Sequence, residues 1–76
     1  DLPELTVASD GDALSVVSVL KLAGLTASTS EGLRMLAQGA VRANGEKVSD
    51  KGLAFSSGES VILQVGKRKF AKIQIA

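Results

Sequence analysis

Residues 28–48 read STSEGLRMLAQGAVRANGEKV and combine the signals of a helix start, a helix end and a tight turn. Ser28 and Glu31 have the spacing of a capping box, in which Ser28 accepts from the third helical N–H and Glu31 returns to the amide of Ser28. The helix is predicted to run to Gln38. It should stop at Gly39, since glycine readily adopts the left-handed conformation that ends helices.

The predicted helix has an apolar face and a polar face. Its apolar side chains recur at the spacing i, i+3, i+4, i+7 and form the expected inner stripe: Leu33, Leu36, Ala37 and Ala40. Glu31, Arg34 and Gln38 then share the outer face. A solvent-exposed pair between Arg34 and Glu31 is the simplest interpretation of that face.

Two hairpins are predicted after this helix. Asn44-Gly45 separates two short runs, and both residues tolerate the positive φ of a tight hairpin turn. Further on, residues 61–65 and 70–75 read as strands, the second with the alternation of a half-buried strand. Residues 66–69, GKRK, lie between them, so three cations are expected at the tip of the second hairpin.

The N-terminal part of the chain is predicted to hold one short strand and one more helix. Residues 1–11 read as a linker remnant with a strand around residues 5–7 and a turn, and residues 12–76 as one domain. The first helix is expected to begin after Asp12, whose carboxylate can accept from the first helical amides. It is expected to end at Gly24.

Together these elements predict an α+β fold, with two helices packed on one face of a small, largely antiparallel sheet of four or five short strands. A single core of a 76-residue chain buries only about 60% of the unfolded surface, so stability should be modest. The core is expected to consist of aliphatic side chains from the helices and the second hairpin: Leu14, Val17, Leu20, Leu33, Leu36, Val61, Leu63 and Ile73.

The composition excludes most enzyme chemistry. The chain has no cysteine and no histidine, which removes disulfides, thiolate zinc sites and the commonest general base. Its eight acidic residues are scattered near predicted turns and helix starts, so no catalytic or metal-binding group is expected. With two Phe and no Tyr or Trp, the chain offers no row of aromatic rings for stacking bases. Any nucleic-acid binding should therefore use charge, hydrogen bonds and shape.

Charge is distributed unevenly along the chain. Residues 1–38 hold two cations and five carboxylates, a net −3, whereas residues 39–76 hold seven cations and three carboxylates, a net +4. Three adjacent cations on a hairpin tip add nothing to a core, and a polyanion would relieve their mutual repulsion. The asymmetry points to a polyanionic partner. A merely solubilising turn is the alternative.

Residues 28–48 resemble the S-four-like RNA-binding module, also called the αL motif, whose pattern is roughly S-x-S-E-A-x-R-x-I-x-x-G-x-V-x-V-N-G. Residues 65–70, VGKRKF, followed by a short strand, resemble the C-terminal domain of bacterial tyrosyl-tRNA synthetases. The resemblance covers nearly the whole chain. It departs from the module at Thr29 and Leu33, where many members carry Lys and Arg, and at Gly32, where Ala is usual.

The resemblance implies an RNA-binding surface on the second helix, the Asn-Gly hairpin and the basic turn: Ser30, Arg34, Gln38, Arg42, Asn44, Lys47, Lys67, Arg68 and Lys69. It also implies that the partner is tRNA(Tyr), gripped at its anticodon stem and long variable arm. ATP and tyrosine would bind an upstream catalytic domain, so no cofactor is expected in this chain. The parent enzyme would be a cytoplasmic homodimer that dimerises through its catalytic domain, and the isolated domain a monomer.

Two alternatives stay open at the level of sequence. The same module occurs in other RNA-associated proteins, including ribosomal and ribosome-rescue proteins and pseudouridine synthases. A basic protein-interaction domain that meets an acidic partner is the second alternative. A small free-standing enzyme has no residues to support it.

Overall fold

The computed structural model describes residues 2–9 and 11–76, and within them it contains two α-helices and seven short β-strands. The elements follow in the order β1 Glu4–Val7, β2 Leu14–Ser15, α1 Val16–Leu22, α2 Thr29–Ala37, β3 Val41–Ala43, β4 Glu46–Lys47, β5 Ala54–Phe55, β6 Ser60–Val65 and β7 Lys69–Ile75. Asp1 and Asp10, which were assigned to the linker and its turn, lie outside the described residues.

Strands from both ends of the chain form the main sheet, in the order β1-β7-β6-β3-β4. β6 and β7 make the predicted basic hairpin, antiparallel from Ser60 opposite Gln74 to Val65 opposite Lys69. β3 pairs with β6 and β4 with β3, both antiparallel, whereas β1 runs parallel to β7 at the other edge. The predicted α+β fold with a largely antiparallel sheet is confirmed.

A second, two-stranded sheet was not predicted, and it moves the start of α1. β2 and β5 pair antiparallel, with Leu14 opposite Phe55. This pairing keeps the chain extended past Asp12, so the predicted cap at Asp12 is wrong. The N-cap is Ser15 instead, whose Oγ accepts from the N–H of Ser18 at 3.3 Å.

The core lies between the helices and one face of the main sheet, where their buried side chains form a single cluster. Every second residue of β6 and β7 contributes to it: Val61, Leu63, Val65, Ala71, Ile73 and Ile75. Leu20 and Val19 of α1 are fully buried against this face. The alternation places the intervening residues of both strands on the opposite face of the sheet.

The inner stripe of α2 differs from the prediction. Leu36 is buried as expected, but Leu33 is 43% exposed, Ala37 is exposed and Ala40 is only half-buried. Leu33 was therefore wrongly assigned to the core. Leu14, also assigned there, is half-buried and packs at the margin of the cluster.

Gly32 explains how α2 is rotated. It is buried, and a Cβ placed on it would lie 3.2 Å from the Cβ of Val17 in α1. The missing side chain lets the two helices approach closely at this point. The buried face of α2 is consequently centred between Gly32 and Leu36, which turns Leu33 toward solvent.

The start of α2 follows the predicted capping box with one change. Ser28 Oγ accepts from the N–H of Glu31 at 3.1 Å, as expected. The Glu31 carboxylate accepts from the N–H of Ala27 at 2.9 Å rather than from Ser28. Ser28 is extended, with φ −155° and ψ 167°, which presents the preceding amide to the carboxylate.

Replacing Ser28 with alanine should lower the free energy of unfolding by about 1 kcal/mol, because a helix amide loses its acceptor. Urea denaturation would measure the loss, with Ser30→Ala as the control, since exposed Ser30 provides no cap. The RNA binding that the resemblance implies should weaken only through this loss of order. An unchanged unfolding midpoint with weakened RNA binding would instead assign Ser28 to direct contact with RNA.

Candidate nucleic-acid interface

The outer face of α2 carries the predicted Ser30, Arg34 and Gln38, and all three are exposed. Arg34 does not pair with Glu31, so that interpretation was wrong. The Glu31 carboxylate is half-buried and bound to the Ala27 amide instead. Arg34 therefore presents its guanidinium to solvent from a rigid helix.

The Asn-Gly hairpin is a tight turn in which Asn44 has φ +52° and Gly45 has φ +87°. The Asn44 N–H donates to Ile62 O at 2.8 Å, and Asn44 Oδ1 accepts from the N–H of Ile62 at 3.0 Å. The side chain thus extends the β3–β6 ladder by one residue. A role for Asn44 in RNA binding stays a prediction, for which its side-chain amide N–H groups are available.

Arg42 and Lys47 are cross-strand neighbours on the β3–β4 hairpin, and both are exposed. The Lys47 side chain reaches back over the end of α2. A Cβ on Gly39 would lie 2.6 Å from Lys47 Cε and 2.9 Å from Nζ. Gly39 therefore supplies both the positive φ that ends the helix, +72°, and the space for Lys47. The ammonium thus lies beside Gly39, the residue that directly follows the C-cap Gln38 of α2.

The basic turn is attached to the segment that follows α2. Gly66 N–H donates to Ala40 O at 2.8 Å, and Gln64 Nε2 donates to Gly66 O at 2.8 Å. Lys67 and Arg68 occupy the turn, and Lys69 is the first residue of β7. All three cations are exposed, as predicted for a hairpin tip.

Residues 39–40 bring the separate basic segments together. Gly39 lies beneath Lys47, and Ala40 holds the basic turn through Gly66. The next strand, β3, starts at residue 41 and carries Arg42. The end of α2, the Asn-Gly hairpin and the basic turn therefore meet at this connection, which sequence reasoning treated only as a helix stop.

A groove runs between α2 and the basic turn. It is lined by Leu25, Glu31, Met35, Val65 and residues 66–69, and most of its surface is apolar. Sequence reasoning missed Leu25 and Met35, because aliphatic residues beside a helix stripe look like ordinary core. Only the tertiary structure distinguishes these two residues from ordinary core, because it places them opposite the basic turn.

The cations of the candidate interface are not neutralised within the described residues. The ion pair found there joins Lys72 Nζ and Glu4 Oε1 at 4.0 Å, away from the interface residues. No described carboxylate lies within 4.0 Å of the cations on α2, β3, β4 or the basic turn. Like charges held this way attract a polyanion. Neither described helix has the length and hydropathy to span a membrane.

Comparison with known proteins identifies similar sequences. No family model matches the chain. It is 58% identical over 73 residues, 96% of its length, to a tyrosine–tRNA ligase of Aromatoleum aromaticum. The tyrosine–tRNA ligases of Nitrosospira multiformis and Colwellia psychrerythraea are 55% and 45% identical over 99% and 100% of the chain.

These matches cover only part of each relative. The chain spans 18% to 19% of the length of these ligases, and the match lies in their C-terminal region. The predicted resemblance to the C-terminal domain of bacterial tyrosyl-tRNA synthetases is confirmed.

Proposed function

We propose that this chain is the tRNA-binding domain of a tyrosine–tRNA ligase and that it grips the anticodon stem and long variable arm of tRNA(Tyr). The observation that carries the proposal is the meeting of three basic segments at residues 39–40, where their cations face solvent without carboxylate partners. The similarity of the chain to the C-terminal region of tyrosine–tRNA ligases supports tRNA(Tyr) as the RNA that it binds.

The parent enzyme would divide its work between domains. ATP and tyrosine would bind an upstream catalytic domain, and this domain would need no cofactor. The parent would be a cytoplasmic homodimer assembled through its catalytic domain. The isolated domain would be a monomer.

The interface residues fall into two groups by rigidity. Arg34 and Arg42 project from a helix and a strand, so they lose little freedom on binding and fix the register of the RNA. Lys67 and Arg68 project from a turn, where a phosphate can approach without displacing packed side chains. Polar side chains supply neutral hydrogen bonds to phosphate or ribose: Ser30, Gln38 and Asn44.

Replacing Lys67 and Arg68 together with alanine should weaken binding to tRNA(Tyr) and flatten its dependence on salt. Each phosphate contact contributes about 0.9 to the slope of log affinity against log salt for a duplex, so the slope should fall by about 1 to 2 units. The measurement is a binding titration at several salt concentrations.

The matched control removes two exposed cations from outside the interface, Lys21 of α1 and Lys51 of the turn before β5. This Lys21→Ala, Lys51→Ala variant should keep the parent slope. Equal slopes for both double variants would remove the basic turn from the interface. A heparin fragment of matched charge that binds as tightly as tRNA(Tyr) would favour a general polyanion or acidic-protein partner instead.

A further inference from the structure

We propose that the groove between α2 and the basic turn receives one unpaired nucleobase of the bound RNA, with a preference for guanine. This inference rests on the proposed function, because it names what the same interface recognises within its RNA. The groove is lined by Leu25, Glu31, Met35, Val65 and residues 66–69.

The floor of the groove suits the flat face of a base. Leu25 and Val65 are buried, and half-buried Met35 packs against the core beside them. A methionine thioether makes favourable contacts with aromatic rings and adapts to their shape. The groove measures about 390 Å³, within the range of about 300–1,000 Å³ found for small-ligand sites. A single base can enter it.

The rim of the groove suits the phosphates on either side of that base. Lys67, Arg68 and Lys69 form one wall and are exposed. An apolar floor beside a cationic wall matches a nucleotide, which joins an aromatic base to anionic phosphates. Bases in an RNA stem are stacked and cannot reach such a floor, so the nucleotide has to be unpaired.

Glu31 gives the groove its base preference. One carboxylate oxygen, Oε1, accepts from the Ala27 N–H at 2.9 Å, and an ionised carboxylate has about four lone-pair sites in total. The remaining acceptor capacity faces a groove that is otherwise apolar and cationic. Guanine presents two adjacent donors, N1–H and the N2 amino group, whereas uracil presents a single N–H. A carboxylate in this place also disfavours an acidic peptide as the occupant.

The test uses the 76-residue chain and a stem-loop RNA with one unpaired guanosine in its stem. The matched RNAs carry uridine or an abasic ribose at that position, so the number of phosphates stays constant. The abasic RNA should bind roughly 5- to 100-fold more weakly than the uridine RNA, the range found for single-base contacts, without a change in the salt slope. Uridine should bind about 10-fold more weakly than guanosine through loss of a charged hydrogen bond.

Two variants test separately the apolar floor, through Met35, and the hydrogen-bond acceptor, Glu31. Met35→Ala should shrink the penalty for the abasic RNA to less than about 3-fold, whereas Leu33→Ala, exposed on the same helix outside the groove, should keep it. Glu31→Gln retains an oxygen that can accept from the Ala27 N–H, so the cap survives. The Glu31→Gln variant should bind guanosine and uridine RNAs equally and keep the penalty of the abasic RNA relative to uridine RNA. This result tests the groove even if Met35→Ala fails to fold.

Each contrary outcome has a distinct meaning. Equal affinity for the guanosine and abasic RNAs, with normal salt dependence, would overturn the nucleobase site and leave the proposed function standing. Absence of salt-dependent binding to any of these RNAs and to tRNA(Tyr) would overturn both. Competition by an acidic aromatic peptide as strong as that by guanosine RNA would make the groove a peptide site.

Discussion

Deleting residues 1–76 from a tyrosine–tRNA ligase that contains them should abolish efficient transfer to tRNA and spare formation of tyrosyl adenylate. The groups that contact ATP and tyrosine would lie in the upstream domain, whereas the deleted part would hold the tRNA. Losing only two charge-assisted contacts of about 1.5–3 kcal/mol each lowers kcat/KM for tRNA roughly 10²- to 10⁴-fold.

Pyrophosphate exchange measures the activation step, and aminoacylation of tRNA(Tyr) measures both steps together. The truncated enzyme must show a cooperative thermal transition, which establishes that its remaining part is folded. Loss of pyrophosphate exchange in a folded truncated enzyme would contradict this division between the domains. Full aminoacylation by the truncated enzyme would contradict the proposed role in tRNA binding.

Replacing Leu36 with alanine should lower the free energy of unfolding by about 2–5 kcal/mol. Leu36 is 4% exposed and anchors α2 to the common core, so its truncation leaves a cavity in that core. A domain of this size has a total stability at the low end of about 5–15 kcal/mol. The change would therefore unfold a measurable fraction of the protein, and the interface on α2 with it.

The matched control is Leu33→Ala on the same helix. Leu33 is 43% exposed, so its truncation should change the free energy of unfolding by no more than about 0.5 kcal/mol. Urea denaturation of both variants tests the rotation of α2 about its axis. Equally large losses of unfolding free energy in both variants would support the inner stripe predicted from the sequence, with Leu33 in the core. A small loss in Leu36→Ala would contradict the packing of α2 in the core.

Local signals in the sequence predicted the parts of the fold that depend on neighbouring residues. Ser28 and Glu31 marked the start of α2, and Asn44-Gly45 marked the β3–β4 turn. The alternation in residues 70–75 predicted which face of β7 is buried. Each of these features is decided within a few residues, by a capping hydrogen bond, a positive φ or the strand period of two.

Features that depend on distant partners were missed. Asp12 looked like a helix cap because nothing nearby shows that Leu14 pairs with Phe55, about forty residues later. Leu33 looked like core because helical spacing alone cannot reveal that Gly32 lies against Val17. In both places a tertiary contact overrode a reasonable local preference.

The candidate site shows the same division. The sequence alone determined which residues carry charge and that Lys67 and Arg68 lie on a turn with Lys69 directly after it, because charge and turn chemistry are local properties. Only the tertiary structure decided that this turn bonds to Ala40, that Lys47 folds over Gly39, and that Met35 faces the cations across a groove. Those contacts join residues of different structural elements, and their geometry follows from how the helices pack on the sheet.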